Sequence, residues 1–152
     1  MEATTLSMFQ DLGVAASLTF AAIGSALGTG AAGMAAVGAW KKCYAANKSA
    51  PFMLVAFVGA PLSQTIYGMI LMNKIAEAAA AGHYFWSFGL LGGLAMGFSA
   101  FFQGKAGAGA ADALAETGKG FANYLMVLGV IETVALFVMV FLMGKVDILI
   151  GS

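Results

Sequence analysis

One carboxylate stands inside a long apolar stretch of this sequence. Glu132 lies near the middle of residues 121–143, a run bounded by Lys119 and Lys145. About 20 apolar residues cross a bilayer, and an acidic side chain at that depth costs about 2.5–3.5 kcal/mol on insertion scales. Such an acid is expected to bind and release an ion or a proton. The structural alternative is that Glu132 serves as a polar contact, hydrogen-bonded to an amide of a neighbouring helix.

A second polar group occupies one face of another apolar segment. Spacings of three and four residues place four positions on the same side of a helix: Ala60, Ser63, Gln64 and Tyr67. Pro61 removes a backbone donor and frees a carbonyl one turn earlier, and membrane transporters use such carbonyls as cation ligands. We expect Glu132 to supply the charge, this helix to supply neutral oxygens, and the tyrosine hydroxyl to donate to the carboxylate.

Gln103 is a second amide that could contribute an oxygen to this site. Counted from Trp86 at about 1.5 Å per residue, it is expected toward the cytoplasmic side of the membrane, and it reaches the middle only if helix 3 stays in the membrane well past Lys105. Each polar residue alone has an ordinary interpretation: Gln64 as a packing amide, Tyr67 as a core or interface aromatic, and Ser63 as bonded to its own helix. Their shared face and depth favour an ion site.

The composition excludes several classes of protein. With 61% hydrophobic and 9% charged residues, the chain is expected to be an integral membrane protein. Its net charge of zero gives no case for nucleic acid as a partner. No Cys/His cluster supports a zinc site, and no Walker motif or Ser/His/Asp pattern supports a nucleotide or acyl-transfer site. Residues 1–10 lack a basic n-region, so the first apolar segment is expected to remain as a helix.

Four apolar segments are predicted to be transmembrane helices. The first covers residues 12–40 and the fourth residues 121–143. The second covers residues 52–72 and extends less regularly to Gly82. The third begins at residue 84 and ends between residues 105 and 116. The spacing of Ser7 and Gln10 ahead of the first segment is that of a capping box. The short connections predict an up-down-up-down bundle, with residues 1–152 forming a single membrane domain.

The chain is an internal duplication of one hairpin. Residues 28–33 resemble residues 104–109, and residues 63–66 align with residues 131–134, so Gln64 takes the place of Glu132. The first hairpin is expected over residues 9–80 and the second over residues 84–145. One ionisable group therefore serves both hairpins.

The glycines predict which helices pack most closely. Gly24/Gly28 and Gly93/Gly97 are GxxxG pairs in the first and third segments, and small residues let membrane helices approach each other. Helices 1 and 3 suit the crowded inner wall of a homo-oligomeric ring and helices 2 and 4 its outer wall; the alternative is that glycine and alanine are common in any membrane helix bundle.

Lysine placement predicts the orientation in the membrane. One side of the bundle carries Lys41, Lys42, Lys48 and Lys119, and the other carries Lys74 and Lys145. The positive-inside rule then puts the loops 1–2 and 3–4 in the cytoplasm and both termini outside.

Together these residues resemble the membrane rotor proteolipids of rotary ATPases, specifically the four-helix proteolipid (K/c type) of V/A-type ATPases. The resemblance covers essentially the whole chain and is strongest at residues 60–68, 102–105 and 131–133. It implies a ring of identical subunits in the lipid of a bacterial plasma membrane, turned by ATP hydrolysis in other subunits. A stator subunit with a basic residue and central-stalk subunits on the cytoplasmic side are the implied partners.

The resemblance also implies an ion and its ligands. In sodium-transporting members the site resembles Gln64, Gln103, Glu132, a hydroxyl at Ser63 and a backbone carbonyl at Ala60, with a tyrosine at Tyr67 bonding the carboxylate. Serine stands here where threonine is the pattern, and alanine where leucine is, but the hydroxyl and carbonyl oxygens are kept. Na⁺ is therefore the expected ion. Proton transport by the same ring is the alternative, and a structural or channel-like four-helix protein is the less favoured one.

Overall fold

The computed structural model describes residues 3–151, and the side chains of residues 5–151. Within that part of the chain every regular element is helical. The elements are α1 (Ala3–Ala45), α2 (Leu54–Gly59), a 3₁₀ turn (Ala60–Leu62), α3 (Ser63–Ala80), α4 (Trp86–Thr117) and α5 (Phe121–Ile150). Because α2, the 3₁₀ turn and α3 follow one another without a gap, they form one interrupted rod, and the molecule consists of four rods.

The rods have the length and composition of membrane-spanning helices. Among the described residues, three stretches are long and apolar enough to cross a membrane: Thr5–Ala45, Leu54–Ala80 and Phe121–Ile150. The remaining rod, α4, has 32 residues, or about 48 Å at 1.5 Å per residue, but its glycines and its polar Gln103 and Lys105 make it less apolar. The expected all-helical membrane fold with four long helices is confirmed.

The rods pack in two layers. The most extensive interface joins α1 to α4, while the interrupted rod lies against both of them and α5 lies against α4 and α3. Two apolar clusters fill the interior, one around Leu54, Phe57 and Leu128 and the other around Leu71 and Met96. The polar residues of the candidate site occupy the chain positions between these clusters, so a polar layer separates two apolar ones.

Glycines allow the close contact between α1 and α4. A methyl group added to Gly24 would overlap the backbone of Gly97, and one added to Gly104 would overlap the backbone of Gly28. A methyl group on Gly93 would meet the carbonyl oxygen of Ala16. Because membrane helices gain little from burying apolar side chains against one another, such backbone contact is a main source of their association. The predicted packing role of both GxxxG pairs is confirmed.

Several helix ends differ from the predicted ones, and ionic or polar contacts explain the differences. The first rod is already helical at Ala3 rather than from residue 12, so the predicted capping box at Ser7 and Gln10 is wrong and lies inside α1. Gln10 is instead buried and donates to the Ile75 carbonyl oxygen at 3.4 Å.

The far ends of two rods are also longer than predicted. α1 continues past residue 40 to Ala45, where Lys42 forms an ion pair with Asp112 of α4 at 2.7 Å. α5 continues past residue 143 to Ile150, where Lys74 of α3 pairs with Asp147. Both extended helix ends therefore carry an interhelical ion pair, and the predicted hairpin bounds of 9–80 and 84–145 stay a prediction.

Two glycines of α4, Gly97 and Gly109, test the close contact between α1 and α4. Gly97→Ala is expected to destabilise the protein by about 1–3 kcal/mol, the usual cost of overpacking, because the added methyl would overlap the Phe20 carbonyl oxygen. Gly109→Ala is the matched control, because nothing lies within 4 Å of its added methyl. Thermal unfolding of the detergent-solubilised protein measures both. Equal midpoints for the two variants would contradict the proposed packing of α1 on α4.

Candidate ion-binding site

A break in the second rod positions its polar residues. Pro61 stands in the 3₁₀ turn Ala60–Leu62, where its missing N–H interrupts the α-helical hydrogen-bond ladder. The predicted loosening of the helix near Ala60 is therefore present. Immediately after the turn, Ser63 and Gln64 begin α3.

Three oxygens gather at this break. The Ser63 hydroxyl lies 3.2 Å from the carbonyl oxygen of Ala60 and 3.1 Å from Oε1 of Gln64. A hydroxyl has one hydrogen to donate, so it can satisfy only one of these acceptors at a time. The arrangement leaves an acceptor free for another partner.

Glu132 receives a donor on each oxygen of its carboxylate. The Tyr67 hydroxyl of α3 donates to Oε1 at 2.8 Å, as expected from the sequence. The Gln103 amide of α4 donates from Nε2 to Oε2 at 3.2 Å. The carboxylate of α5 is thereby connected to both neighbouring rods.

Gln103 is the central link of the polar layer. Its Oε1 accepts a hydrogen bond from Nε2 of Gln64 at 2.8 Å, and its own Nε2 also donates to the Leu128 carbonyl oxygen at 3.0 Å. Both amide side chains are fully buried, with 0% of their surface exposed. Since a buried amide without partners is costly, this network explains how two glutamines are accommodated between apolar clusters.

Gln103 lies at the level of Glu132. Counting from Trp86 puts it toward the cytoplasmic side unless helix 3 continues well past Lys105, and in the structure its amide contacts Glu132 directly. The reason is the length of α4, which runs from Trp86 to Thr117 and so places Gln103 near its middle. Counting from Trp86 misleads because the helix extends well beyond a bilayer thickness.

Ser99 is a polar contact that the sequence analysis missed. Its hydroxyl donates to the carbonyl oxygen of Ile131, the residue before Glu132, at 2.9 Å. Ser99 lies four residues before Gln103, so the two share a helical face, and that spacing is the signal that could have identified it. Thr133, in contrast, bonds the Val130 carbonyl of its own helix at 2.6 Å.

The charge of the site matches a monovalent ion. Within the described residues, no group of three or more His, Cys, Asp or Glu side chains could hold a metal, and the hydrogen-bond donors to the Glu132 carboxylate are the neutral side chains of Tyr67 and Gln103. One positive charge would neutralise it, whereas a divalent cation would leave an uncompensated charge at apolar depth. The structure brings all six predicted site residues into one layer, and their role as ion ligands stays a prediction.

Comparison with known proteins gives one family match. Residues 87–143 match the family model described as the C subunit of ATP synthase. The matched segment contains both Gln103 and Glu132 and most of α4 and α5. A search of curated proteins finds no match to the chain.

The matched family consists of proteolipids that form oligomeric rings in membranes and are not themselves catalytic. The match therefore supports a rotor proteolipid of an ATPase, integral to the membrane. It also supports the expected assembly of identical subunits into a ring.

The hydrogen bond between Gln64 and Gln103 predicts that the stability costs of substituting the two residues are not additive. Gln103→Leu is expected to destabilise the protein by about 1–3 kcal/mol, because Gln64 then remains buried without its acceptor. Replacing both glutamines by leucine is expected to cost less than the sum of the two single substitutions, because neither amide is left unpaired. Thermal unfolding in detergent of the wild type, the two single variants and the double variant measures this difference. Additive costs would contradict the 2.8 Å contact between the two amides.

Proposed function

We propose that the chain is the rotor-ring subunit of a V-type ATPase and carries Na⁺ on Glu132 as the ring rotates. The observation that carries this proposal is the position of that carboxylate. It lies within the apolar helix α5, with one oxygen bonded by Tyr67 and the other by Gln103. An acid held by two neighbouring helices at membrane depth is suited to reversible binding of a single cation.

The ligand set supports Na⁺ as the transported ion. A hard cation takes oxygen ligands, and at the Pro61 break the Ser63 hydroxyl lies within hydrogen-bond distance of both the Gln64 side-chain oxygen and the Ala60 carbonyl oxygen. A proton needs only the carboxylate. The additional neutral oxygens therefore favour a cation that exchanges its hydration shell for several protein ligands.

The surroundings of Glu132 support movement of the loaded site through lipid. Glu132 is partly exposed at the surface of α5, and the neighbouring side chains Val130 and Val134 are exposed and apolar. A bound monovalent cation makes this part of the helix nearly neutral. An ionised empty site is costly in lipid, so a subunit would pass through lipid only when loaded.

Release of the bound cation from Glu132 then requires a second positive charge. In the proposed cycle, a basic residue of a stator subunit displaces the cation and pairs with the Glu132 carboxylate. The pair persists until the next access path supplies a new ion. ATP hydrolysis in other subunits turns the ring through central-stalk subunits on the cytoplasmic side, and this chain performs no covalent chemistry.

Ring assembly is supported by the layering of the helices. The glycine-rich α1 and α4 pack most closely and suit an inner wall, whereas the interrupted rod and α5 suit an outer wall that faces lipid and the stator. The chain has two hairpins and one membrane-embedded acid, Glu132, that serves both, which fits a V-type subunit of four helices. The complex is proposed to lie in a bacterial plasma membrane.

Protection of Glu132 from carbodiimide tests the proposed ion. Dicyclohexylcarbodiimide modifies protonated carboxyl groups, so Na⁺ bound at Glu132 is expected to slow its labelling, while K⁺ at the same ionic strength is not. Mass spectrometry of the labelled protein from native membranes measures the rate. Glu132→Gln should remove the label, and Glu77→Gln, which changes an exposed acid near the end of α3, should leave it in place.

The other hypotheses predict different results. Labelling that responds to pH but not to Na⁺ would favour the same ring transporting protons. ATP-driven transport that is unchanged in Glu132→Gln membranes would favour a structural protein with Glu132 as a polar contact, and would reject the rotor proposal.

The proposed orientation is testable with single cysteines. Cys43 is buried and is the sole cysteine of the chain, so Cys43→Ala gives a clean background. Ser49→Cys in the loop after α1 is expected to react with a membrane-impermeant maleimide in inside-out vesicles. Ala81→Cys, at the opposite end of the bundle, is expected to react in right-side-out vesicles. Both positions are exposed, and the reverse pattern would invert the proposed orientation.

A further inference from the structure

Ser99 bonds to a neighbouring helix rather than to its own. A serine inside a membrane helix ordinarily donates to a carbonyl one turn earlier. Ser99, which is 7% exposed, instead donates across the interface from α4 to the Ile131 carbonyl of α5 at 2.9 Å. Since Ile131 precedes Glu132 directly, this bond acts on the backbone that carries the carboxylate.

Gln103 repeats this contact one turn farther along α4. Its Nε2 donates to the Leu128 carbonyl oxygen at 3.0 Å. Two side chains of α4, four residues apart, therefore hold two carbonyls of α5 that are three residues apart. A single bond would let α5 turn about the point of contact, whereas two bonds fix both its rotation and its height relative to α4.

The apolar packing of α5 does not provide the same restraint. Gly129, Val130, Thr133 and Val134 are exposed on either side of Glu132, and the buried apolar contacts of α5 lie one turn before and after it, at Leu128 and Ala135. Apolar contacts between membrane helices also lack a hydrophobic driving force. The polar bonds from α4 therefore add a directional restraint on this turn to the apolar packing on either side of it.

We infer that Ser99 is a positioning residue for the Glu132 carboxylate. It holds the α5 backbone where the carboxylate oxygens meet the donors of Tyr67 and Gln103, and it does not itself touch the ion. The inference rests on the proposed function, because its main readout is the occupancy of Glu132 by a cation.

Three serine variants in the full chain, assembled in its complex in membrane vesicles, test this role. Ser99→Ala is expected to raise the Na⁺ concentration for half-maximal protection of Glu132 from carbodiimide by about two- to tenfold, the range that one hydrogen bond contributes. Ser99→Thr keeps the hydroxyl and is expected to stay close to the wild-type value. Ser25→Ala is the matched control, because Ser25 is 1% exposed and its hydroxyl has no partner among the described residues.

The amount of assembled ring and the maximal rate of ATP-driven transport are measured on the same vesicles. A purely structural role would lower the amount of ring and leave the protection midpoint unchanged, and that result would overturn the inference. An equal loss of affinity in Ser99→Ala and Ser99→Thr would also overturn it, because the hydroxyl would then be irrelevant.

The two proposals fail separately. If Na⁺ does not protect the wild-type protein, the sodium proposal fails, and the variants are compared by the pH of half-maximal labelling instead. A shift of that pH in Ser99→Ala but not in Ser25→Ala would support the positioning role. Coincident pH curves for wild type and Ser99→Ala would overturn it.

Discussion

A carboxylate inside an apolar bundle is tolerated only while each of its oxygens has a hydrogen-bond donor or a cation. In this protein the donors come from two different rods, Tyr67 of α3 and Gln103 of α4, while Glu132 itself belongs to α5. One acid therefore connects three helices. Displacing any of the three helices would break a hydrogen bond to a charged group, which contributes about 1.5–3 kcal/mol.

The contacts that pack the helices closely differ from the contacts around Glu132. The contact of α1 with α4 depends on glycines at which an added methyl group would overlap the opposing backbone. The contacts among α3, α4 and α5 at the level of Glu132 depend instead on hydrogen bonds. A closely packed pair of helices thus supports a polar layer held by hydrogen bonds. That division suits the proposed exchange of an ion at Glu132 while the bundle keeps its structure.

Much of this arrangement could be predicted from local sequence patterns. The apolar runs identify the helices, Pro61 identifies the break, and the spacing of Gln64 and Tyr67 identifies their common face. The helix ends could not be predicted from hydropathy, because charged residues interrupt the apolar runs there, and only the folded chain shows that Lys42 pairs with Asp112 and Lys74 with Asp147. The depth of Gln103 and the bond from Ser99 to Ile131 depend on the stagger between α4 and α5, and no single segment encodes that stagger.

Each chain is proposed to bind one sodium ion, on the carboxylate of Glu132. Equilibrium binding of radioactive ²²Na⁺ to the purified complex measures this directly, with the number of sites expressed per copy of the chain. We predict one saturable site per copy, lost in Glu132→Gln and retained in Glu77→Gln. An absence of saturable binding, or a site that persists when Glu132 is replaced, would contradict the claim.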